Sequence, residues 1–136
     1  MIQFNPRKGT ILRCDFSTGF QPPEMVKKRP VIVITPRQQG GSPLCTVVPL
    51  STKEPSPVLS FHHKMEPHSL PETYRHQDCW AKCDMIYTVS YARLDRFRIR
   101  DANGQRRWVQ GRATRSDIEA IEKAVLNGLG LRKFLT

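Results

Sequence analysis

Two short β-branched runs constrain the fold of this chain most: Lys28-Arg29-Pro30-Val31-Ile32-Val33-Ile34 and Thr46-Val47-Val48-Pro49-Leu50-Ser51-Thr52. Neither alternates polar with apolar residues. Arg29 to Thr35 and Leu44 to Leu50 therefore predict strands buried on both faces, central in a sheet. Pro30 lacks an N–H and belongs at the start of its strand. Pro49 predicts a bulge or an edge that turns Ser51 and Thr52 out of the ladder. A cation begins the first run and two hydroxyls close the second. If the runs pair, Arg29, Ser51 and Thr52 meet on one rim of a small β-barrel, a place to hold a phosphate.

The remaining segments fit such a barrel. Gly9 to Phe16 alternates as a first strand. Ser17 to Lys28, broken by Gly19, Pro22 and Pro23, predicts a mobile flap. Pro36 to Pro43, with Gly40-Gly41, predicts a turn-rich connection. Val58 to His62 reads as a short strand, Glu66 to Asp78 as an irregular surface segment, and Cys79 to Val89 as extended chain. Asn103-Gly104 between Phe97–Arg100 and Arg107–Gln110 is a hairpin signal. Ser116 and Glu119 form a capping box, and Ile118, Ile121, Val125 and Leu129 continue as one helical stripe. Gly128 and Gly130 stop that helix. Leu131 and Phe134 are expected to tuck onto the core. The expectation is one domain over residues 1–136, mainly β with a C-terminal helix.

The 136 residues carry a net charge of +10, which favours a polyanionic partner, nucleic acid or an acidic protein segment. A basic, merely solvated surface is the plainer alternative. No stretch approaches the ~20 apolar residues of a membrane span, and the first residues lack an apolar core for a signal peptide. A cytoplasmic location is expected, with Cys14, Cys45, Cys79 and Cys83 reduced.

The ordered set of motifs resembles the PemK/MazF family of toxin endoribonucleases from type II toxin–antitoxin systems. It comprises Gly9 to Phe16, Glu24 followed by Arg29 to Ile34, Val47 to Thr52, Lys82-Cys83-Asp84, Thr88-Val89, Arg93-Leu94 and the closing helix to Leu131. The resemblance implies a small SH3-like β-barrel of the PemK/MazF/CcdB type that forms a homodimer. It also implies metal-independent cleavage of single-stranded RNA and neutralisation by an acidic antitoxin. Some members have a flap histidine where this chain has Pro23. Met85 and Tyr87 stand where the family has Gln and a basic residue.

Cleavage of this kind needs a base for the 2′-OH, an acid for the leaving 5′-oxygen and cations for the phosphoryl charge. It yields 2′,3′-cyclic phosphate and 5′-hydroxyl ends. Arg29 suits the phosphate because its planar fork reaches two oxygens at once. Ser51 and Thr52 are hydroxyl donors, though such residues are commonly turn formers. Asp84 is a candidate base, with Lys82 on the same strand face keeping it ionised. The plainer reading of that pair is a surface ion pair. Glu24 is a second carboxylate. For RNA contact the candidates are Glu24, Lys27, Lys28, Tyr87, Arg93 and Arg98, since cations interleaved with aromatics suit single strands. Trp80 and Trp108 are expected in the core. Among His62, His63, His68 and His76, the pair His62-His63 is the better substitute for the missing flap histidine. His76, Cys79 and Cys83 have an allowed Cys-x3-Cys spacing, but no second Cys or His pair follows at finger spacing, so no metal and no cofactor is expected. Three functions compete: an endoribonuclease toxin, a catalytically impaired RNA- or protein-binding module on the same barrel, and a toxin acting on a protein target.

Overall fold

The central strands are buried on both faces because the sheet curls and two separate cores form against it. The computed structural model describes residues 1–37 and 41–135. Its strands are β1 (Thr10–Asp15), β2 (Lys28–Val33), β3 (Leu44–Ser51), β4 (His62–Lys64), β5 (Trp80–Lys82), β6 (Tyr87–Ser90), β7 (Leu94–Asp95), β8 (Phe97–Arg100), β9 (Arg106–Val109) and β10 (Gly111–Arg112); one helix follows, α1 (Arg115–Gly128). All pairings are antiparallel, in the order β10-β1-β2-β3-β5-β4, with β7 also on β1 and β6 also on β3. β8 and β9 form their own two-stranded sheet.

Residues of β1–β3 point alternately into the two cores. Ile11, Ile32, Val48 and Leu50 join Leu70, Ile121 and Ala124 in one. Leu12, Val31, Val33 and Val47 join Ile2, Phe16 and Leu94 in the other. Both sets are apolar, which is why the runs show no alternation. Cys14 and Cys45 lie in the second core, and Cys79 and Cys83 in the first. Burial pushes the four thiols up to about 12, 11, 11 and 12 respectively, so they stay protonated.

Several expectations need correction. Ser51 does not leave the ladder: it is buried and pairs with Trp80 of β5. Pro49 instead falls where the outer neighbour of β3 changes from β6, which ends opposite Val47, to β5, which begins opposite Leu50. A missing N–H costs little at such a changeover. The strand placed over Val58 to His62 is β4 at His62–Lys64. Leu59 and His62 close a turn instead, the Leu59 amide donating to His62 Nδ1 at 2.9 Å. Cys79 to Val89 is not one extended run: the chain turns at Cys83–Asp84, with the Met85 amide donating to the Lys82 carbonyl. The segment from Glu66 to Asp78 is irregular, with 3-10 turns at Pro67–Ser69 and Glu72–Tyr74, yet it buries Ser69 and Leu70 completely.

The hairpin and the helix stand as expected, with one shift. Thr114 is the N-cap of α1, its Oγ1 accepting from the Asp117 amide at 3.1 Å, so the cap lies two residues before Ser116. Ile121 is buried, Ile118 and Val125 partly so, while Leu129 at the C-cap is exposed. Gly130, at φ +74°, ends the helix as a left-handed stop. Phe134 and Trp108 are exposed rather than in the core: Phe134 sits in a terminal 3-10 turn, and Trp108 on a two-stranded hairpin, where it lines a cavity with Met1, Phe4 and Asp95. Trp80 is buried. Of the connection at Pro36 to Pro43, Gly40 lies outside the described residues.

Candidate functional site

Antiparallel pairing fixes where Arg29 and Ser51 stand. Val31 faces Pro49, so the same register carried on by two residues sets Arg29 across from Ser51. On its other side Arg29 pairs with Cys14 of β1, and Ser51 with Trp80 of β5. Arg29 is half-buried at the start of β2. Buried Ser51 accepts at Oγ from the Lys53 amide at 3.1 Å, which leaves its hydroxyl proton uncommitted by that bond. Thr52, next along, is exposed.

Two further groups that sequence reasoning missed lie near this rim, in a cleft that Arg29 and Ser51 do not line. Arg13 lies one residue before Cys14 on β1, opposite Pro30. Tyr74 comes from the irregular segment and packs edge-on against Phe97. Burial raises the Tyr74 phenol above its ordinary range, while the nearby Arg29 and Arg13 guanidiniums pull it down. A cleft of about 480 Å³ opens beside them, lined by Arg13, Thr73, Tyr74, Gln77, Phe97 and Arg98. The two guanidiniums of the cleft, Arg13 and Arg98, with the Tyr74 phenol, suit a phosphodiester. Arg13 gave no signal of its own because a strand arginine reads as solvated until its neighbours are known.

Rather than hanging free, the flap is pinned at several points. Arg93 Nη1 donates to the Asp15 carbonyl at 3.0 Å and the Thr18 carbonyl at 2.9 Å, and its guanidinium lies 4.7 Å from the Phe20 ring centre. Phe20 packs edge-on against Phe16 and Tyr87. The Met25 amide donates to the Tyr87 hydroxyl at 3.0 Å. Tyr87 and Arg93 therefore hold the flap from beneath. Glu24 is turned inward on the flap itself, Oε1 accepting from the Gln21 amide at 3.0 Å. Lys27 and Lys28 are exposed. Asp15, opposite Lys28 in the ladder, is held below the ordinary carboxylate range, by hydrogen bonds from Ser17 first and by Lys28 and Arg93 after.

Asp84 and Lys82 are not brought to this rim. β5 begins at Trp80 beside Ser51, and strand rise carries Lys82 about 7 Å away, with Asp84 further on in the turn. The shared strand face expected for Lys82 and Asp84 does not exist, because the chain leaves the strand between them. The backbone of Asp84 packs instead on α1, where a Cβ on Gly128 would come within 3.1 Å of the Asp84 Cα.

The histidines separate. His62 pairs with Lys82 across β4–β5 and caps the Leu59 turn. His63 Nε2 lies 2.7 Å from Oδ1 of buried Asp117, whose Oδ2 also accepts from the Glu66 amide and the Ser69 hydroxyl. Ser69 Oγ accepts in turn from the Thr114 amide at 2.9 Å. This network ties the start of α1 to β4. Burial acts to raise the Asp117 carboxyl, but its hydrogen bonds together hold it below the ordinary range. His68 and His76 are exposed. Among the described residues no three His, Cys, Asp or Glu side chains converge as metal ligands, and no helix is long and apolar enough to cross a membrane.

Comparison with known proteins agrees with this fold. A family profile described as PemK-like, MazF-like toxin of type II toxin-antitoxin system matches residues 7–128. The chain is 33% identical to the Escherichia coli (strain K12) protein YifN over 116 residues, covering 71% of this chain and 76% of that one. Among solved structures it resembles an endoribonuclease in complex with its cognate antitoxin from Mycobacterial species, with TM-score 0.63 and 19% identity over 93% of this chain and 96% of the other. It likewise resembles MazF from Deinococcus radiodurans, with TM-score 0.63 and 14% identity over 94% and 99%. At those identities the structures speak for the fold, a curled antiparallel sheet with one C-terminal helix.

Proposed function

The chain belongs to the family of PemK-like, MazF-like toxins of type II toxin–antitoxin systems, and from that premise we propose that it is an endoribonuclease that cleaves single-stranded RNA without a metal ion. What supports this reading best is the β2–β3 register, which continued two residues past Val31–Pro49 sets Arg29 across from Ser51, near the cleft that Arg13 and Tyr74 line. In the proposed reaction the ribose 2′-oxygen attacks its own phosphorus. The P–O bond to the 5′-oxygen breaks, that oxygen takes up a proton from solvent water, and the products are a 2′,3′-cyclic phosphate and a 5′-hydroxyl. Arg29 holds two non-bridging oxygens and stabilises the charge that grows on them. Ser51 donates its free hydroxyl proton to the same phosphate, and exposed Thr52 supplies a second donor.

A carboxylate takes the 2′-proton, and Asp84, with Lys82 nearby, is the proposed base; Glu24 is the other candidate. Lys27, Lys28 and Arg98 contact the RNA backbone, and Tyr87 and Arg93 serve binding by holding the flap. A homodimer, a cytoplasmic location and an acidic antitoxin as inhibitor belong to the same proposal. The second reading, an RNA- or protein-binding module with impaired catalysis, is favoured by the separation of Asp84 from the Arg29 rim. Growth arrest on induction distinguishes the two. The chain should arrest growth, and Arg29→Ala should relieve the arrest while remaining folded. An Arg29→Ala protein that arrests growth as the parent does would refute the site assignment.

A further inference from the structure

The β8–β9 hairpin has two faces of different character. Register pairs Phe97 with Val109 and Ile99 with Arg107 on one face, and Arg98 with Trp108 and Arg100 with Arg106 on the other. The first face turns inward: Phe97 is buried, and Arg107 pairs with Glu72 at 3.4 Å. The second face is all exposed, three guanidiniums around one tryptophan that is 52% exposed. The Arg98 guanidinium lies 6.0 Å from the Trp108 ring centre. The nearest carboxylate in sequence, Asp101, is occupied within the turn, its Oδ1 accepting from the Asn103 and Gln105 amides at 2.9 Å.

We propose that this outward face is a platform for single-stranded RNA, which carries the strand away from the Arg29 site; the inference rests on the ribonuclease reading above. Arg98 also lines the cleft that holds Arg13 and Tyr74, so the platform continues directly from that cleft. Arg98 and Arg100 stand about 7 Å apart along the strand, on the scale of successive phosphates in an extended single strand. Trp108 between the cations offers a ring on which a base can stack. An acidic peptide would satisfy the guanidiniums but gives no role to an exposed indole flanked by cations. The combination of flat ring and charge therefore favours RNA over protein.

The test is fluorescence anisotropy with a short labelled, fully 2′-O-methylated single-stranded RNA, whose blocked 2′-oxygen prevents cleavage. The variants are Arg98→Gln/Arg100→Gln/Arg106→Gln together, Trp108→Ala and Trp108→Phe, each checked for folding by thermal melting. The triple variant should flatten the plot of log affinity against log salt by about 2 units, ~0.7 for each phosphate no longer neutralised. Trp108→Ala should weaken binding about fivefold to a hundredfold, and Trp108→Phe should keep most of it. Parental affinity and salt slope in the triple variant would overturn the platform and leave the ribonuclease reading standing. A parent chain that binds no RNA at low salt would overturn both. Variants that keep RNA affinity but no longer bind a poly-glutamate peptide would reassign the face to a protein partner.

Discussion

Arg29 illustrates how a single side chain takes its meaning from its partners. At the start of β2 it would be an ordinary strand-end arginine if it faced solvent alone. The register sets it across from Ser51 and one position from Arg13, with Tyr74 close enough for its phenol to feel both cations. Two guanidiniums together suit an anion that presents two free oxygens. Arg29→Lys keeps the charge but loses the fork, so it should retain only a small fraction of cleavage, with Arg29→Ala about a hundredfold or more below the parent in single-turnover rate. Equal rates for the two variants and the parent would show that the guanidinium is not used. The positions of Arg29 and Ser51 at strand ends were legible from sequence because strand ends carry the polar groups of a buried run. Arg13 and Tyr74 were not, since register and a packed loop bring them near Arg29.

Two local devices dock α1 onto the rest of the fold. One is the network at the start of α1. Asp117 is buried and accepts from His63, Ser69 and the Glu66 amide. Its carboxyl is held below the ordinary range in the folded chain, so it contributes stability above the unfolded value of about 3.9, and that contribution fades as pH falls through the folded value. Asp117→Ala should therefore cost about 3 kcal/mol in urea unfolding near neutral pH, and distinctly less in strong acid. A pH-independent difference would mean that packing rather than charge is removed. The other device is Gly128, whose missing Cβ lets α1 touch the Cys83–Asp84 backbone. Gly128→Ala meets backbone at 3.1 Å and should cost roughly 1–3 kcal/mol and shift the Asp84 amide resonance. Hydrophobic period predicted β1, β2, β3, the hairpin and α1 closely. It failed at β4, at the break between β5 and β6, and at Leu70, where a side-chain cap, a change of strand partner and a buried loop residue override local pattern.

For the whole molecule, the net charge fits the proposed polyanionic ligand. The net charge of +10 predicts RNA binding that weakens steeply with salt. Exposed Leu129 and Phe134 near the C-terminus leave apolar area that a second copy can cover. The homodimer in the proposal should accordingly appear in sedimentation, and Phe134→Asp should shift it toward monomer; an unchanged dimer would place the contact elsewhere. The fold class was legible because every central run is apolar without alternation. The meeting of cleft and hairpin at Phe97 and Arg98 was not, because it depends on how the sheet curls. The measurement closest to the central claim is incubation of a long single-stranded RNA with the purified protein in EDTA, beside Arg29→Ala, followed by end analysis of the products. The account predicts discrete fragments with 5′-hydroxyl and 2′,3′-cyclic phosphate ends, absent with the variant. RNA that stays intact while bound to the parent protein would contradict it and leave the binding-module reading.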